Sequence, residues 1–459
     1  MDIYSKDNIA CILAMSPMQE GMLFHSLLNP GSTAYLQQMS VVLKGMLNEE
    51  YVRESFEELL RRHQVLRTVF TGGRTERPLQ IVLKTYPLCF RYEDLSGENN
   101  PECRAGQLKK EESGRPVDLA RGPVLRMVLI KKGEKAFELL WIFHHILLDG
   151  WSLGLLVNEF VQLYRGKFGQ LCCLPEPAPF NRFIDWVEAQ DQEKSRQYWQ
   201  TYLAGFTRLT GIPGGNGAGG ESFRREHVDL VLSQRETKQL QALAARCQVS
   251  LYHLMLALWG IMLSKVNRKK DVVFGSVVLG RPGQVRGIES MVGLLINTIP
   301  VRVKYDEETR VTQLLETLRQ DYFESEPHAY LPLPDVQATS PLRQRLFDHL
   351  FVFENIPFQD DNAGEAPEDE VAGTFAVQSI EVLEHTHYHF EVAVYPQPEL
   401  LIRFIFNGNA VSERLVGRLK QNMLLLVEHV LEAPTGKVAD LKLHSEYARL
   451  PAPVPLEDF

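Results

Sequence analysis

His144, His145, Asp149, Gly150 and Ser152 fall within one short stretch, Phe143-His-His-Ile-Leu-Leu-Asp-Gly-Trp-Ser152. An imidazole exchanges a proton near neutral pH and is the commonest general base. A metal site is the sharpest alternative. Adjacent histidines on a strand cannot easily ligate one ion, however, and helical His-x-x-x-His spacing is absent from this group. A Ser–His–Asp hydrolase is set aside on the expectation that the chain has no Gly-x-Ser-x-Gly elbow. Proton transfer or positioning by an imidazole remains, beside a glycine that lets backbone approach a ligand closely.

The elements that must position these residues come next. Phe137 to Phe143 is an apolar run, too short to cross a membrane and rich enough in large side chains to read as a buried strand. Side chains alternate faces along a strand, so one histidine should face the core and the other a site. Asp149-Gly150 predicts a tight turn, and Leu153 to Tyr164 returns to helical spacing. Tyr35 to Gly45, Gln80 to Phe90 and Val124 to Lys132 read as strands. Ser16-Pro17 caps a helix carrying Met18, Met22 and Leu23 on one face. Asn48 to His63 is a second helix, with Val52, Phe56, Leu59 and Leu60 in line. At its end His63 reads as structural, while Arg62 and Arg67 either pair with a buried carboxylate or face water.

Leu174-Pro-Glu-Pro-Ala-Pro179 marks a crossing between two halves, because prolines stiffen a segment without joining a sheet. Phe180 to Gly205 has a helical pattern, and Gly211 to Gly220 is a low-complexity loop. Ser233 to Cys247 opens on a capping box, and Ser250 to Val266 is apolar on most faces and should be buried. A strand-like run from Asp271 to Leu279 leads into Gly280-Arg-Pro-Gly283 and Met291-Val-Gly-Leu-Leu-Ile-Asn-Thr-Ile-Pro300. Val311 to Phe323 is helical, and Phe347 to Pro357 reads as a strand ending in polar residues. The acidic loop Gln359 to Gly373 follows. Two strand-like runs lie within Phe390 to Asn407, and a last helix covers Val411 to Leu431. Periodicity therefore gives an α/β chain throughout.

The net charge of −9 argues against a nucleic-acid binder relying on a general basic surface. The basic pairs and runs at Arg61-Arg62 and Arg268-Lys269-Lys270 read as solvated faces. None of the 6 cysteines forms a Cys-x-x-Cys pair, which predicts reduced thiols in a cytoplasmic protein rather than a zinc site. No apolar run approaches ~18 residues, so no transmembrane helix is expected.

His144-His-x-x-x-Asp-Gly150 resembles the signature of the condensation domains of nonribosomal peptide synthetases, within the chloramphenicol acetyltransferase-like superfamily. Ser16-Pro-Met-Gln-Glu-Gly-Met-Leu-Phe-His25 is similar to the first motif of that family. Arg62-His-Gln-Val-Leu-Arg-Thr-Val-Phe70 resembles the second. The stretch from Gly280 to Pro300 resembles the fifth, Phe347 to Pro357 the sixth, and Glu399 to Asn407 the last. The resemblance covers roughly residues 10 to 435.

It implies a definite architecture: two chloramphenicol acetyltransferase-like lobes, residues 1–178 with the histidine motif and 179–459, forming a V-shaped pseudodimer with a central tunnel. It also implies peptide (amide) bond formation between a donor acyl or peptidyl thioester and the amine of an acceptor aminoacyl thioester. Both substrates would hang on phosphopantetheine arms of donor and acceptor peptidyl carrier proteins, with no cofactor or metal bound by the domain itself. A neighbouring adenylation domain is expected in a parent synthetase of which this chain is a piece, and neither nucleic acid nor membrane is expected as a partner. By the resemblance His145 is the site-facing catalytic imidazole, and Gly150 offers a backbone N–H to the reacting carbonyl. His144 is structural, and Asp149 pairs with Arg281 to pin the histidine loop across the lobe interface. Ser152 and Asn355 are substrate-positioning candidates. The alternatives are an epimerization or O-acyltransferase domain of the same fold, or a non-catalytic docking platform for carrier proteins. The opening motif, the Gly-Arg-Pro loop and the Ile296-Asn-Thr298 run favour condensation, and the intact histidine motif argues against a platform.

Overall fold

The computed structural model describes residues 5–29, 31–72, 77–213, 223–354, 375–383 and 386–444. β1 (Ile9–Ala14) leads into α1 (Pro17–Leu28). A complete capping box starts α1: Ser16 Oγ accepts the Gln19 N–H, Gln19 Oε1 accepts the Ser16 N–H, and Pro17 fills the first turn. β2 (Leu36–Gly45) and α2 (Glu49–Arg62) follow, the latter capped by Asn48. Next come β3 (Thr68–Thr71), β4 (Leu79–Leu83), β5 (Phe90–Asp94), α3 (Pro101–Ser113), β6 (Leu125–Gly133) and β7 (Ala136–His144). The chain continues through α4 (Gly150–Gly166), α5 (Asn181–Glu188), α6 (Gln192–Tyr202), β8 (Arg225–Val231), α7 (Gln234–Arg246) and α8 (Leu251–Asn267). It ends with β9 (Asp271–Val278), β10 (Asn297–Lys304), α9 (Val311–Ser325), α10 (Leu333–Ala338), β11 (Leu350–Phe353), β12 (Phe375–Leu383), β13 (Phe390–Tyr395), β14 (Leu401–Asn407) and α11 (Glu413–Glu432).

Two compact units emerge, and neither is continuous in sequence. The first contains 1–190, 281–296 and 356–387; the second contains 191–280, 297–355 and 388–459. A division at 178/179 assigns Arg281 and β12 to the second half. In the structure both pack with the first, because β12 adds antiparallel to β2 and Arg281 meets Asp149.

In the first unit the strands run β12-β2-β7-β6-β5 in one sheet, with β1-β4-β3 in a smaller one. β7 lies between β2 and β6, antiparallel to both. Its odd-numbered side chains, Leu139, Trp141 and Phe143, enter a core with Phe56 of α2 and Phe160 of α4. The Phe56 and Phe160 rings stack at 4.6 Å, and Trp141 meets Phe56 edge-on at 4.8 Å. Its even-numbered side chains, Leu140 and Ile142, pack with Leu108 of α3 on the other side. A strand buried on both faces needs apolar residues at nearly every position, which is why Phe137 to Phe143 reads as a run rather than an alternation. Glu138 is the exception; its buried carboxylate is paired with Lys109, Lys132 and Ser40.

The second unit is built on the sheet β10-β9-β11-β13-β14-β8, with β11 parallel to both β9 and β13. As its apolar composition predicts, α8 is buried from His253 to Ser264. Among the described residues no single helix is long and apolar enough to cross a membrane.

Several elements differ from the periodicity reading. The expected helix over 180–205 is two, because Asp191 caps a new helix with its side chain on the Lys194 N–H. The expected strand over 80–90 is split between β4 and β5, and in the described part of 347–357 the strand is β11. β1, β3, β8, β12 and α3 were not legible. The loop Gln359 to Gly373 lies outside the described residues.

Gly275 tests the second core. A Cβ there would lie 2.5 Å from the Phe347 ring and 2.9 Å from Leu350. Gly275→Ala should therefore lower unfolding stability by about 1–3 kcal/mol through overpacking, read as an earlier urea midpoint.

Candidate active site

β7 ends at His144, and the chain turns through His145 to Leu147 before α4 begins. The expected tight turn at Asp149-Gly150 is instead a helix cap: Asp149 is the N-cap of α4, and its Oδ1 accepts the Ser152 N–H at 2.7 Å. The two histidines are held differently. His144 Nδ1 accepts the Ile146 N–H at 3.1 Å, so Nε2 carries the proton and points at Ser26 Oγ, 3.3 Å away. The Ser26 hydroxyl in turn donates to the Met22 carbonyl. Burial, with a smaller contribution from His145, pushes the His144 pKa down to about 3, so this ring is neutral.

His145 donates its backbone N–H to the Tyr35 carbonyl at 2.8 Å. Its Nδ1 lies 2.6 Å from the Leu148 carbonyl, which can only accept. Nδ1 thus carries a ring proton, so in the neutral tautomer Nε2 is the atom that presents a lone pair. The side chain is 8% exposed, twice the 4% of His144. Among the described residues Nε2 has no hydrogen-bond partner, and an imidazole whose Nδ1–H is tied to a carbonyl while Nε2 is uncommitted is the arrangement a proton acceptor needs.

Asp149 is fully buried and anchors the loop. Its Oδ2 accepts the Leu295 N–H at 3.0 Å, and Arg281 Nη2 stands 3.2 and 3.4 Å from its two oxygens. Arg281 also donates to the carbonyls of Ile288 and Met291, and its guanidinium lies 5.4 Å over the Trp151 ring. Burial lowers the Arg281 pKa, and the Asp149 charge offsets part of that. Both partners belong to the first unit, so the pair pins 281–296 to the histidine loop within that unit. Gly293 has to be glycine here, since a Cβ would lie 2.3 Å from the Phe180 ring.

Ser152, a candidate for positioning substrate, is turned inward. It is fully buried; its hydroxyl donates to the Gly293 carbonyl at 2.8 Å and accepts from the Gly293 N–H and Arg281. Gly150-Trp-Ser-Leu-Gly154 does spell Gly-x-Ser-x-Gly after a strand, contrary to the expectation that no such run exists. Geometry nonetheless removes the hydrolase: the serine hydroxyl is committed to Gly293, and the His145 Nδ1–H meets a carbonyl rather than a carboxylate. Gly150 is the first residue of α4, so its N–H belongs to the open amino end of a helix. Asn355 lies outside the described residues. Among those described, no three His, Cys, Asp or Glu side chains converge to hold a metal ion.

Three supports were missed. Gln19, which closes the α1 capping box, also donates to the Ile146 carbonyl at 3.2 Å and so grips the histidine loop. Its place three residues after Ser16 was the available signal. Glu159 of α4 meets both Arg62 and His63 at 2.9 Å. Burial works against its charge, but hydrogen bonds and charges from His63 and Arg62 hold its carboxyl below the ordinary value. Among the described residues Arg67 pairs with no carboxylate and donates to the carbonyls of Leu60, Leu83 and Lys84. The third support is Tyr35.

A family model described as "Condensation domain" matches residues 10–449. The chain belongs to the condensation domain family. This condensation domain is 34% identical over 452 residues to surfactin synthase subunit 3 of Bacillus subtilis (strain 168), covering 98% of this chain and 35% of the relative. It is 34% identical over 449 residues to tyrocidine synthase 2 of Brevibacillus parabrevis, covering 97% of this chain and 12% of that one. The chain thus spans about a third and about an eighth of these two relatives. Among solved structures, the starter condensation domain of rhizomide synthetase, solved as a mutant with C8-CoA, superposes with a TM-score of 0.79 at 18% identity, over 95% of this chain and 98% of that one. The first condensation domain of the calcium-dependent antibiotic synthetase, in complex with a substrate analogue, gives 0.76 at 17% identity, over 95% and 100%. The fold is accordingly the chloramphenicol acetyltransferase-like α/β fold. The condensation domain is an acyltransferase of the class that forms amide bonds.

Two measurements check the site. Asp149→Ala leaves Arg281 buried without its counter-charge and should cost about 3–5 kcal/mol of stability, read by chemical denaturation. The second concerns His144, which stays neutral when folded down to about 3. An unfolded imidazole takes a proton near ~6.5, so between those values the unfolded state binds the proton first. Stability should fall as pH drops through that window, by up to ~1.4 kcal/mol per pH unit, and be flat above ~7. Urea midpoints across the range measure it, and His144→Asn should flatten that share of the slope.

Proposed function

We propose that this domain joins a donor acyl or peptidyl thioester to the amine of an acceptor aminoacyl thioester, with His145 as the imidazole that receives the amine proton. The observation that carries the reading is the His145 Nδ1–H bond to the Leu148 carbonyl, which leaves Nε2 as the basic atom. The neutral amine attacks the thioester carbon, a C–N bond forms, and the carbonyl oxygen gains charge. Nε2 takes a proton from the amine, the C–S bond breaks, and the proton passes to the leaving thiolate. Gly150 supplies a backbone N–H from the amino end of α4, where the helix dipole favours negative charge. His144 and the Asp149–Arg281 pair hold the loop and touch no reacting atom.

Both substrates reach the site on phosphopantetheine arms of carrier proteins. An exposed apolar face on α1 supports a protein partner: Phe24, Leu27 and Leu28 are 58%, 54% and 66% exposed, at a spacing that places them on one side of the helix. The same helix carries Ser26 against His144, so a partner seated there is one side chain from the histidine pair. The adenylation domain of a parent synthetase is a further proposed neighbour, and a cytoplasmic location fits the unpaired cysteines.

Two loaded carrier proteins and mass spectrometry of the acceptor carrier test the reaction. His145→Ala should slow amide formation by ~10²–10⁴-fold, the usual contribution of a positioned general base. Unchanged amide formation would remove His145 from the chemistry, and Cα proton exchange without amide product would mark an epimerase. Leu28→Asp should raise the KM for one of the carriers while leaving turnover of a small soluble thioester unaltered. An unchanged KM for both carriers would dismiss the α1 face as a docking surface.

A further inference from the structure

Tyr35 has a φ of 65°, in the left-handed region that non-glycine residues avoid because Cβ crowds the following carbonyl. It immediately precedes β2, whose first residue, Leu36, pairs with His144. That pairing brings the Tyr35 carbonyl to the His145 N–H, 2.8 Å away. Relaxing Tyr35 to a negative φ would swing this carbonyl off its donor. A strained backbone next to a reactive group calls for something that holds it.

The tyrosine side chain is what holds it. Its ring is 6% exposed, and its centroid lies 6.1 Å from the rings of both His25 and His144. Its hydroxyl hydrogen-bonds His387 Nδ1. The His387 ring stacks on His25 at 4.2 Å, so the anchor is itself braced against α1. All of these residues lie in the first unit.

We propose that Tyr35 is a positioning residue for the reaction, its phenol fixed by His387 so that its strained backbone carbonyl holds the His145 peptide in place. Glycine would accept the same φ without strain but would offer no ring and no hydroxyl to fix it. The inference rests on the reading of His145 given above.

The test compares amide formation between loaded carriers in five variants and measures melting curves alongside. Tyr35→Phe should lower kcat about two- to tenfold, the scale of one neutral hydrogen bond, with KM for both carriers nearly unchanged. His387→Gln removes the same bond from an exposed position, where folding is least at risk, and should lower kcat by a similar factor. The Tyr35→Phe/His387→Gln pair should be no slower than the slower single variant, because both remove one interaction. In a His145→Ala background, Tyr35→Phe should have no further effect, since Tyr35 acts only through that imidazole. Full kcat in Tyr35→Phe and His387→Gln would overturn the proposal, whatever His145→Ala does. An equal loss with and without His145 would also overturn it, by showing a general structural role. Wild-type turnover in His145→Ala would defeat the underlying reading, and the proposal with it.

Discussion

A single buried carboxylate organises the site. Asp149 caps α4, receives the Leu295 amide and faces the Arg281 guanidinium, all without exposure to water. Such a pair carries a large desolvation cost, and only dense hydrogen bonding makes it tolerable. Arg281 accordingly turns Nη1 to two carbonyls of its own segment and Nη2 to Ser152 as well as Asp149, while its buried Nε has no partner among the described residues. The pair therefore acts as a clasp: it closes the loop after β7, starts α4 at a defined residue, and draws 281–296 onto the first unit.

The clasp explains the division of labour between the histidines. With the strand end fixed on one side and the α4 cap on the other, the intervening turn has little freedom. One imidazole then becomes packing. His144 is buried, neutral and hydrogen-bonded at both nitrogens. The other keeps one nitrogen tied to a carbonyl of its own turn and the second uncommitted. Local backbone geometry thus sets both the tautomer and the direction of His145, with a carbonyl behind the ring where a triad has a carboxylate. The same tightness places Ser152 in the clasp, buried from solvent.

Support arrives from residues distant in sequence. Gln19 grips the loop from the start of α1, Glu159 ties α4 to the end of α2 through Arg62 and His63, and Tyr35 holds the His145 amide. Residues that read as separate motifs along the chain are, in space, successive braces on one turn. Arg67 is the exception: it serves carbonyls around β4 and takes no part in the loop.

The sequence by itself determined the local facts. Ser16, Asn48 and Ser233 have side chains that bond backbone amides a few residues on, so their helix starts could be read without knowing what lies nearby. The buried strand Phe137 to Phe143 was legible because both of its faces are covered, which demands apolar residues throughout. The Asp149–Arg281 pairing came from likeness to a family rather than from spacing, since 132 positions separate the two residues. Only the tertiary structure decided that Asp149 caps a helix instead of making a turn, that Ser152 is buried, and that β12 and Arg281 belong to the first unit. These depend on which distant backbone groups come within hydrogen-bonding distance, and neither periodicity nor composition carries that information.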